Sequence, residues 1–305
     1  MGWVGRNPHK PLNLNMDLLQ SFSVIQFANA LALSSLLTIL ASGLALIFGL
    51  RDVMNFAHGA LYMLGAYLGF AVAARFNFWV ALAVVPFLLA ALGVVFEYAV
   101  LRPLQKRAHM DVALITFGIA LILGHVVNST WGTSPLSVAM PPSLSGAIDL
   151  LGQPYPAYRF FLILVGFGTC ILLAAWLKWT KSGMHVRAVS QLPIVARMMG
   201  VNTDRLSLFV VCLGTGFSGL AGVLAGPYLS VDPSMGANIL ISCLIVVVVG
   251  GLGSIGGAIV ASVVYGFIQV IGSIVSPLMS VMTPYLLLFF VLLWRPQGFG
   301  RGRVA

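Results

Sequence analysis

Charge is the first thing this sequence is short of. Asp, Glu, Lys and Arg make up 8% of its 305 residues, and only 7 of them are acidic. A water-soluble domain carries roughly 25% charged residues. With 60% hydrophobic residues and a mean hydropathy of +1.02, the chain cannot cover its surface in water, and lipid must be the solvent for much of it. Cysteine is scarce too. Cys170, Cys212 and Cys243 all fall inside apolar stretches, without CxxC or zinc-ligand spacing. That excludes a thiolate metal site and leaves small packing residues. No GxxxxGK[ST] phosphate loop occurs, so the chain does not hydrolyse ATP by that route. No cofactor, metal or catalytic set is expected.

What charge there is leans basic, with 16 Lys and Arg and a formal net charge of +9. In a soluble protein this would suggest nucleic acid. Here the basic residues sit between apolar runs, where the positive-inside rule expects them, so the expected partner is a lipid bilayer and not nucleic acid. The first apolar run, from about Phe22 to Leu50, is too long for the core of a signal peptide.

A crossing helix needs about 20 apolar residues. Candidate spans are 22–50, 59–75, 78–101, 112–131, 159–177 and 207–229. From Asp232 to Arg295 no charged residue occurs. At ~1.5 Å per residue that stretch allows about three crossings of a ~30 Å core. It divides at Gly250–Gly257 and at the Pro277/Pro284 pair. The fold class is therefore an all-α polytopic membrane protein in one domain over 1–305, with eight or nine spans, broken or re-entrant elements, and two weakly related halves. A faint echo between the stretches starting at Asn55 and Gly250 motivates the last point. Arg51, the 102–107 loop, the 178–206 loop and the tail arginines hold most of the positive charge. Arg6, Lys10, Arg75 and Arg159 fall on the other side. The richer side should be cytoplasmic, giving an outer N-terminus and an inner C-terminus. Residues 1–21 are an N-terminal extension, and 132–158 form a Pro/Ser/Gly-rich outer-face loop.

Several segments carry candidate function. Arg51–Gly59 interrupts apolar sequence with polar groups. Asn55 and His58 then either line a path through the membrane or belong to a turn that Asn55 caps. In 180–204, Ala188, Leu192, Val195, Ala196 and Met199 recur at helical spacing between Gly183 and Gly200, predicting an amphipathic inner helix that docks into a partner. GxGxxG at Gly251, Gly253 and Gly256 lacks the βαβ context of a dinucleotide site and reads as helix packing or a broken helix. Ser218, in GFSG, would need a histidine for protease chemistry, and only His125 lies in a span. The acids fall at loops or span ends, with Glu97 placed to pair with Arg102, which argues against an ion-driven carrier.

MNFAHGALYMLGAY (54–67), EYxxLRPL (97–104), ITFGIALIL (115–123), GMxxRAV followed by MMGVNTDR (183–205), VVGGLGSIGGA (248–258) and RPQGFGRG (295–302) occur in this order. Together they resemble the shorter permease subunit of branched-chain amino acid ABC importers, a family that also moves urea and short amides. The resemblance implies a paralogous permease partner, two cytoplasmic ATPase subunits, a periplasmic or lipid-anchored solute-binding protein, and a bacterial inner-membrane location. It implies that Gly183, Arg187, Ala196, Gly200 and Asp204 couple the chain to the ATPases. By the same likeness Asn55, Phe56, His58 and Gly59, with Gly250, Gly251 and Gly253, face the translocation path.

Overall fold

The computed structural model describes residues 24–105, 107–150 and 152–300. The extension 1–21 lies outside them. Among the described residues eight helices are long and apolar enough to cross a membrane: α1 Val24–Arg51, α2 Ala57–Arg75, α3 Phe78–Phe96 continued by a π-helical turn to Leu101, α4 His109–Trp131, α5 Ala157–Trp179, α8 Thr203–Ala225, α10 Ile255–Val275 and α11 Pro277–Trp294. Between α5 and α8 lie two short helices, α6 Lys181–Gln191 and α7 Pro193–Met198. Between α8 and α10 lies α9, Met235–Gly250, whose 16 residues span only about 24 Å. Boundaries follow local chemistry. Asn77, Thr180, Asn202, Ser254 and Ser276 each accept a backbone N–H three residues on and so start a helix. Pro277 takes the first position of α11, where its missing N–H costs nothing.

Two expectations change. The predicted single helix in 178–206 is split at Leu192, because Pro193 disfavours helical geometry in the residue before it. Its buried face is Gly183, Val186, Val189 and Ala196, while Leu192, Val195 and Met199 point outward. The 132–158 loop carries a two-stranded antiparallel hairpin, β1 Ala147–Leu150 with β2 Gln153–Pro156. Its start is pinned by paired backbone hydrogen bonds between Leu136 and Val231.

Contacts at helix ends fix direction. Arg51, Arg102, Arg107, Lys178, Lys181, Arg187, Arg197, Arg205 and Arg295 gather at one end of the bundle. Among described residues, Arg75 and Arg159 mark the other. The helices form two sets of four with opposite direction. In the first, α1 runs toward the basic end, α2 starts inside the bundle and runs away, α3 returns and α4 leaves. In the second, α8, α9, α10 and α11 repeat this order reversed. The partners match: α3 packs on α8 as α10 packs on α1, and α2 packs on α3 as α9 packs on α10. This is the inverted arrangement expected of duplicated transport folds. The sequence echo does not mark it, since it aligns α2 with α10 while the packing equates α2 with α9. Gly-rich stretches resemble one another whatever their place.

Glycine sets how close the helices lie. Gly43 meets Gly214 where α1 crosses α8, and Gly59 meets Gly236 where α2 crosses α9. A Cβ on Gly65 would stand 2.8 Å from the Gly219 Cα, closer than a side chain can sit, whereas one on Gly118 would meet nothing within 4 Å. Such contacts are how membrane helices associate where lipid removes the hydrophobic drive. Gly65→Leu is therefore expected to destabilise the detergent-solubilised protein by about 1–3 kcal/mol or to prevent assembly, and Gly118→Leu to leave its melting unchanged.

Candidate functional site

The junction of α1 and α2 is the most unusual piece of backbone. At Asp52 (φ 58°) the chain turns, and Asp52–Asn55 is neither helix nor strand. It runs back along the first two turns of α4. Phe56 N donates to Thr116 Oγ1 at 3.1 Å, and His109 Nδ1 lies 2.8 Å from the Asp52 carbonyl. Asn55 Oδ1 accepts from Ala57 N at 3.1 Å and so starts α2. His58 Nε2 donates to the Leu40 carbonyl at 3.1 Å, three turns up α1 from its basic end. Asn55 is 1% exposed and His58 fully buried. Asn55 Nδ2 and His58 Nδ1 have no hydrogen-bond partner among the described residues. Gly59 follows immediately, pressed against Gly236 and the Leu240 side chain. The capping reading of this segment holds: Asn55 caps a helix that starts inside the bundle.

Beside the segment lies a cavity of about 550 Å³. Phe48 of α1, Met54 and Phe56 of the segment, and Met110, Ala113, Leu114 and Phe117 of α4 form its apolar walls. Asp52 and His109 are its polar members. Of the residues assigned to the path from sequence, Phe56 alone lines it. The others were missed because they lie on three separate elements. The apolar repeat of Met110, Leu114 and Phe117 was visible, but every lipid-facing helix has one.

Gly250, Gly251 and Gly253 lie elsewhere, at the basic end. Gly251 has φ 93°, and a Cβ there would meet the backbone oxygens of Gln297 and Gly300. Phe299 N donates to the Val249 carbonyl at 2.9 Å and Gly300 N to that of Gly250 at 2.8 Å. The GGLG and PQGFG stretches thus clasp each other, backbone to backbone. Gly253 rests on Gly49 of α1.

At the same end stands a buried ion pair. Arg51 and Glu97 are in contact with side chains 9% and 2% exposed. Arg102, the partner expected for Glu97 from sequence, instead bonds Asp204 at 3.0 Å, both half-exposed. The π-helical turn explains the change. Arg102 N closes onto the Glu97 carbonyl five residues back, at 2.8 Å, and the extra residue turns Glu97 inward toward α1.

The five residues assigned to coupling lie on or beside α6 and α7. Gly183 lets α6 fold against the last turn of α5, with Leu177 Cα 2.5 Å from where a Cβ would be. Arg187 is exposed. Ala196 is buried. Gly200 has φ 84°; its N–H bonds the Arg197 carbonyl, and Val201 N bonds that of Ala196, the two hydrogen bonds of a Schellman C-cap. Asp204 sits in the first turn of α8, where a carboxylate favours the helix dipole. Around them Leu192, Ile194, Val195, Met198 and Met199 are all exposed. Ser218 is fully buried and donates to the Thr215 carbonyl at 2.8 Å, so no nucleophile stands ready there. Among the described residues no three His, Cys, Asp or Glu side chains are grouped as a metal site requires.

Inverted helix sets, a helix break inside the bundle and an adjoining cavity define a polytopic membrane transport protein. Comparison with known proteins narrows the class. The family described as "Branched-chain amino acid transport system / permease component" matches residues 26–292, and the chain belongs to that family. It is 26% identical over 290 residues to the high-affinity branched-chain amino acid transport system permease protein LivH of Escherichia coli, covering 90% of this chain and 94% of that one. BraD of Pseudomonas aeruginosa, with the same description, is 24% identical over 291 residues, covering 90% and 94%. The ribose import permease RbsC of Escherichia coli is 26% identical over 263 residues, covering 81% and 78%. Among solved structures, PsaBC from Streptococcus pneumoniae in complex with Fab matches with a TM-score of 0.50 at 17% identity, covering 91% of this chain and 95% of that one, a likeness of fold.

Removing one member of the buried pair leaves an uncompensated charge, at a cost of about 3–5 kcal/mol, whereas an apolar pair of similar volume is close to neutral. Glu97→Leu should therefore lower the melting temperature of the purified protein sharply, and Arg51→Met with Glu97→Leu should recover most of it.

Proposed function

We propose that this chain is the membrane-spanning permease subunit of an ATP-driven, binding-protein-dependent importer of leucine, isoleucine and valine. The observation that carries the reading is the helix break at Asp52–Asn55, held inside the bundle beside an apolar cavity, in a member of the branched-chain amino acid permease family. Irregular backbone at membrane depth persists only where it is buried or lines a cavity. Solute passes along this break as the two helix sets rock about the Gly43–Gly214 and Gly59–Gly236 crossings. A paralogous permease completes the path, and a periplasmic or lipid-anchored binding protein delivers the solute at the end bearing Arg75, Arg159 and the hairpin.

Power comes from two cytoplasmic ATPase subunits, because the chain has no phosphate-binding loop of its own. They dock at the basic end, which the positive-inside rule assigns to the cytoplasm of a bacterial inner membrane together with the C-terminus. The exposed apolar residues of α6 and α7 suit a groove on such a partner. Arg187 supplies a charged contact there, and Gly200 sets the exit from α7. Movement of α6 reaches α1 directly, since Ser190 lies against Gly49, two residues before α1 ends at Arg51.

The second reading keeps this machine and changes the cargo to urea or a short amide. The cavity disfavours it, because a small, wholly polar solute would leave its hydrogen-bonding groups facing Phe48, Phe56 and Phe117. An autonomous channel or secondary carrier is disfavoured by the acids: Glu97 is tied to Arg51, and the described others lie at loops or helix ends.

The test is binding-protein-dependent, ATP-dependent uptake in reconstituted vesicles with a panel of labelled solutes. Leucine, isoleucine and valine should be taken up and urea should not. Arg187→Ala and Gly200→Val should each cut uptake at least about tenfold without loss of membrane insertion, while Gly200→Asn, which tolerates the left-handed backbone, should retain it. Uptake unchanged in both Arg187→Ala and Gly200→Val would remove α6 and α7 from the coupling role.

A further inference from the structure

We infer that residues 132–142 form a strap that gates the outer end of the path, with Leu136, bonded to Val231, as its latch. This rests on the importer reading above. The inverted helix sets can be matched residue by residue. Asn55 Oδ1 accepts from Ala57 N at 3.1 Å, and His58 N donates to the Asn55 carbonyl at 3.3 Å. At the start of α9, Asp232 Oδ1 accepts from Ser234 N at 2.8 Å, and Met235 N donates to the Asp232 carbonyl at 3.2 Å. The spacing is the same in both. Where the two helices cross, the contacts are reciprocal. A Cβ on Gly59 would stand 2.7 Å from the Leu240 Cβ, and one on Gly236 3.1 Å from the Met63 Cβ, each partner one turn further along its helix. Contacts that read the same from both sides mark a two-fold axis. Asn55 therefore corresponds to Asp232 and Gly59 to Gly236. The residues ending at Asp232 are the outer counterpart of the broken segment Asp52–Asn55.

The two ends of α4 hold these two counterparts. Asp52–Asn55 lies against its first turns, at Thr116 and His109. Past its last residue, Trp131, the chain turns at Gly132 (φ 83°) and comes back over the bundle. Leu136 N donates to the Val231 carbonyl at 2.8 Å, and Val231 N to that of Leu136 at 2.9 Å. No further strand pairing extends this bridge, so two hydrogen bonds and the contact of Val138 with Gly226 hold the strap to the outer segment. Val231 is fully buried beneath it. Beside the latch a cavity of about 340 Å³ separates 137–142 from Phe70, Ala73, Asn77 and Trp79 at the outer ends of α2 and α3. Packed interiors hold few voids larger than a water molecule, so the strap is not keyed into the helices there and has room to shift.

Residues that exchange both bonds of an antiparallel pair have Cα atoms about 5.5 Å apart, within the ~4.4–6.8 Å that a disulfide spans. Leu136→Cys with Val231→Cys therefore locks the latch. In vesicles holding the complete transporter, oxidation should reduce binding-protein-dependent leucine uptake to the level seen without ATP, and a thiol reductant should restore it. The unaltered chain, in which Cys170 and Cys243 are buried, is the control and should respond to neither treatment. If oxidation leaves the thiols free, a short methanethiosulfonate cross-linker joins them and is read the same way. Val231→Cys alone gives a second measurement. Its buried thiol should react slowly at rest with a membrane-impermeant maleimide, and faster when loaded binding protein and ATP are present. Full uptake with the cross-link formed would overturn the inference. So would a loss that reductant does not reverse, or equal maleimide rates at rest and in turnover. If the unaltered transporter takes up no branched-chain amino acid, the importer reading itself fails, and that is seen before any variant is compared.

Discussion

The fold answers one constraint: inside a bilayer no water is at hand to take up a backbone hydrogen bond. Long helices meet it without help. A chain that needs helix ends in mid-membrane must hide them, and here it does so with side chains. Asn55 caps Ala57, Thr116 receives Phe56 N, and His58 reaches across to the Leu40 carbonyl. Small residues then let the two interrupted elements touch, at Gly59 and Gly236. Neither α2 nor α9 starts at a bundle end, and each begins where the other passes.

The basic end is built differently, from clasped loops and ion pairs. Arg51 and Glu97 fix the end of α1 to α3, Arg102 and Asp204 fix the loop after α3 to α8, and the glycine clasp fixes the tail to the α9–α10 turn. The exposed faces of α6 and α7 stand beside these joints. α6 touches α1 there, with Ser190 beside Gly49. The exposed pair of Arg102 and Asp204 adds little stability, of order 0.2–1 kcal/mol, so its use is to set register.

Much of this was legible in the sequence, for physical reasons. The apolar spans follow from composition, which left eight or nine crossings open, because hydrocarbon tolerates nothing else. Asn55 was legible as a helix cap, and Pro277 as a division in the last apolar stretch. The interruption at Arg51–Gly59 was visible as polarity out of place, and the break falls within it, at Asp52–Asn55. What stayed hidden depends on contacts between distant segments. Glu97 was paired with Arg102 because sequence distance cannot see a π turn. The apolar stripe through Leu192 and Met199 was read as one helix because its period runs on across Pro193. The path assignment of Gly250, Gly251 and Gly253 came from the family likeness, which does not show that glycine there also serves a clasp. The cavity has no sequence signature, since its walls come from α1, α4 and the segment between α1 and α2.

The account stands or falls on where the energy comes from. On the proposed reading the chain, which has no phosphate-binding loop and whose buried acid among the described residues, Glu97, is paired with Arg51, takes its energy from partner subunits. The direct measurement is leucine accumulation in sealed vesicles holding the purified chain with its paired permease, with and without the ATPase subunits, ATP and loaded binding protein. Accumulation is expected only in the complete set. Uphill accumulation by the permease chains alone, driven by a proton or sodium gradient, would contradict it.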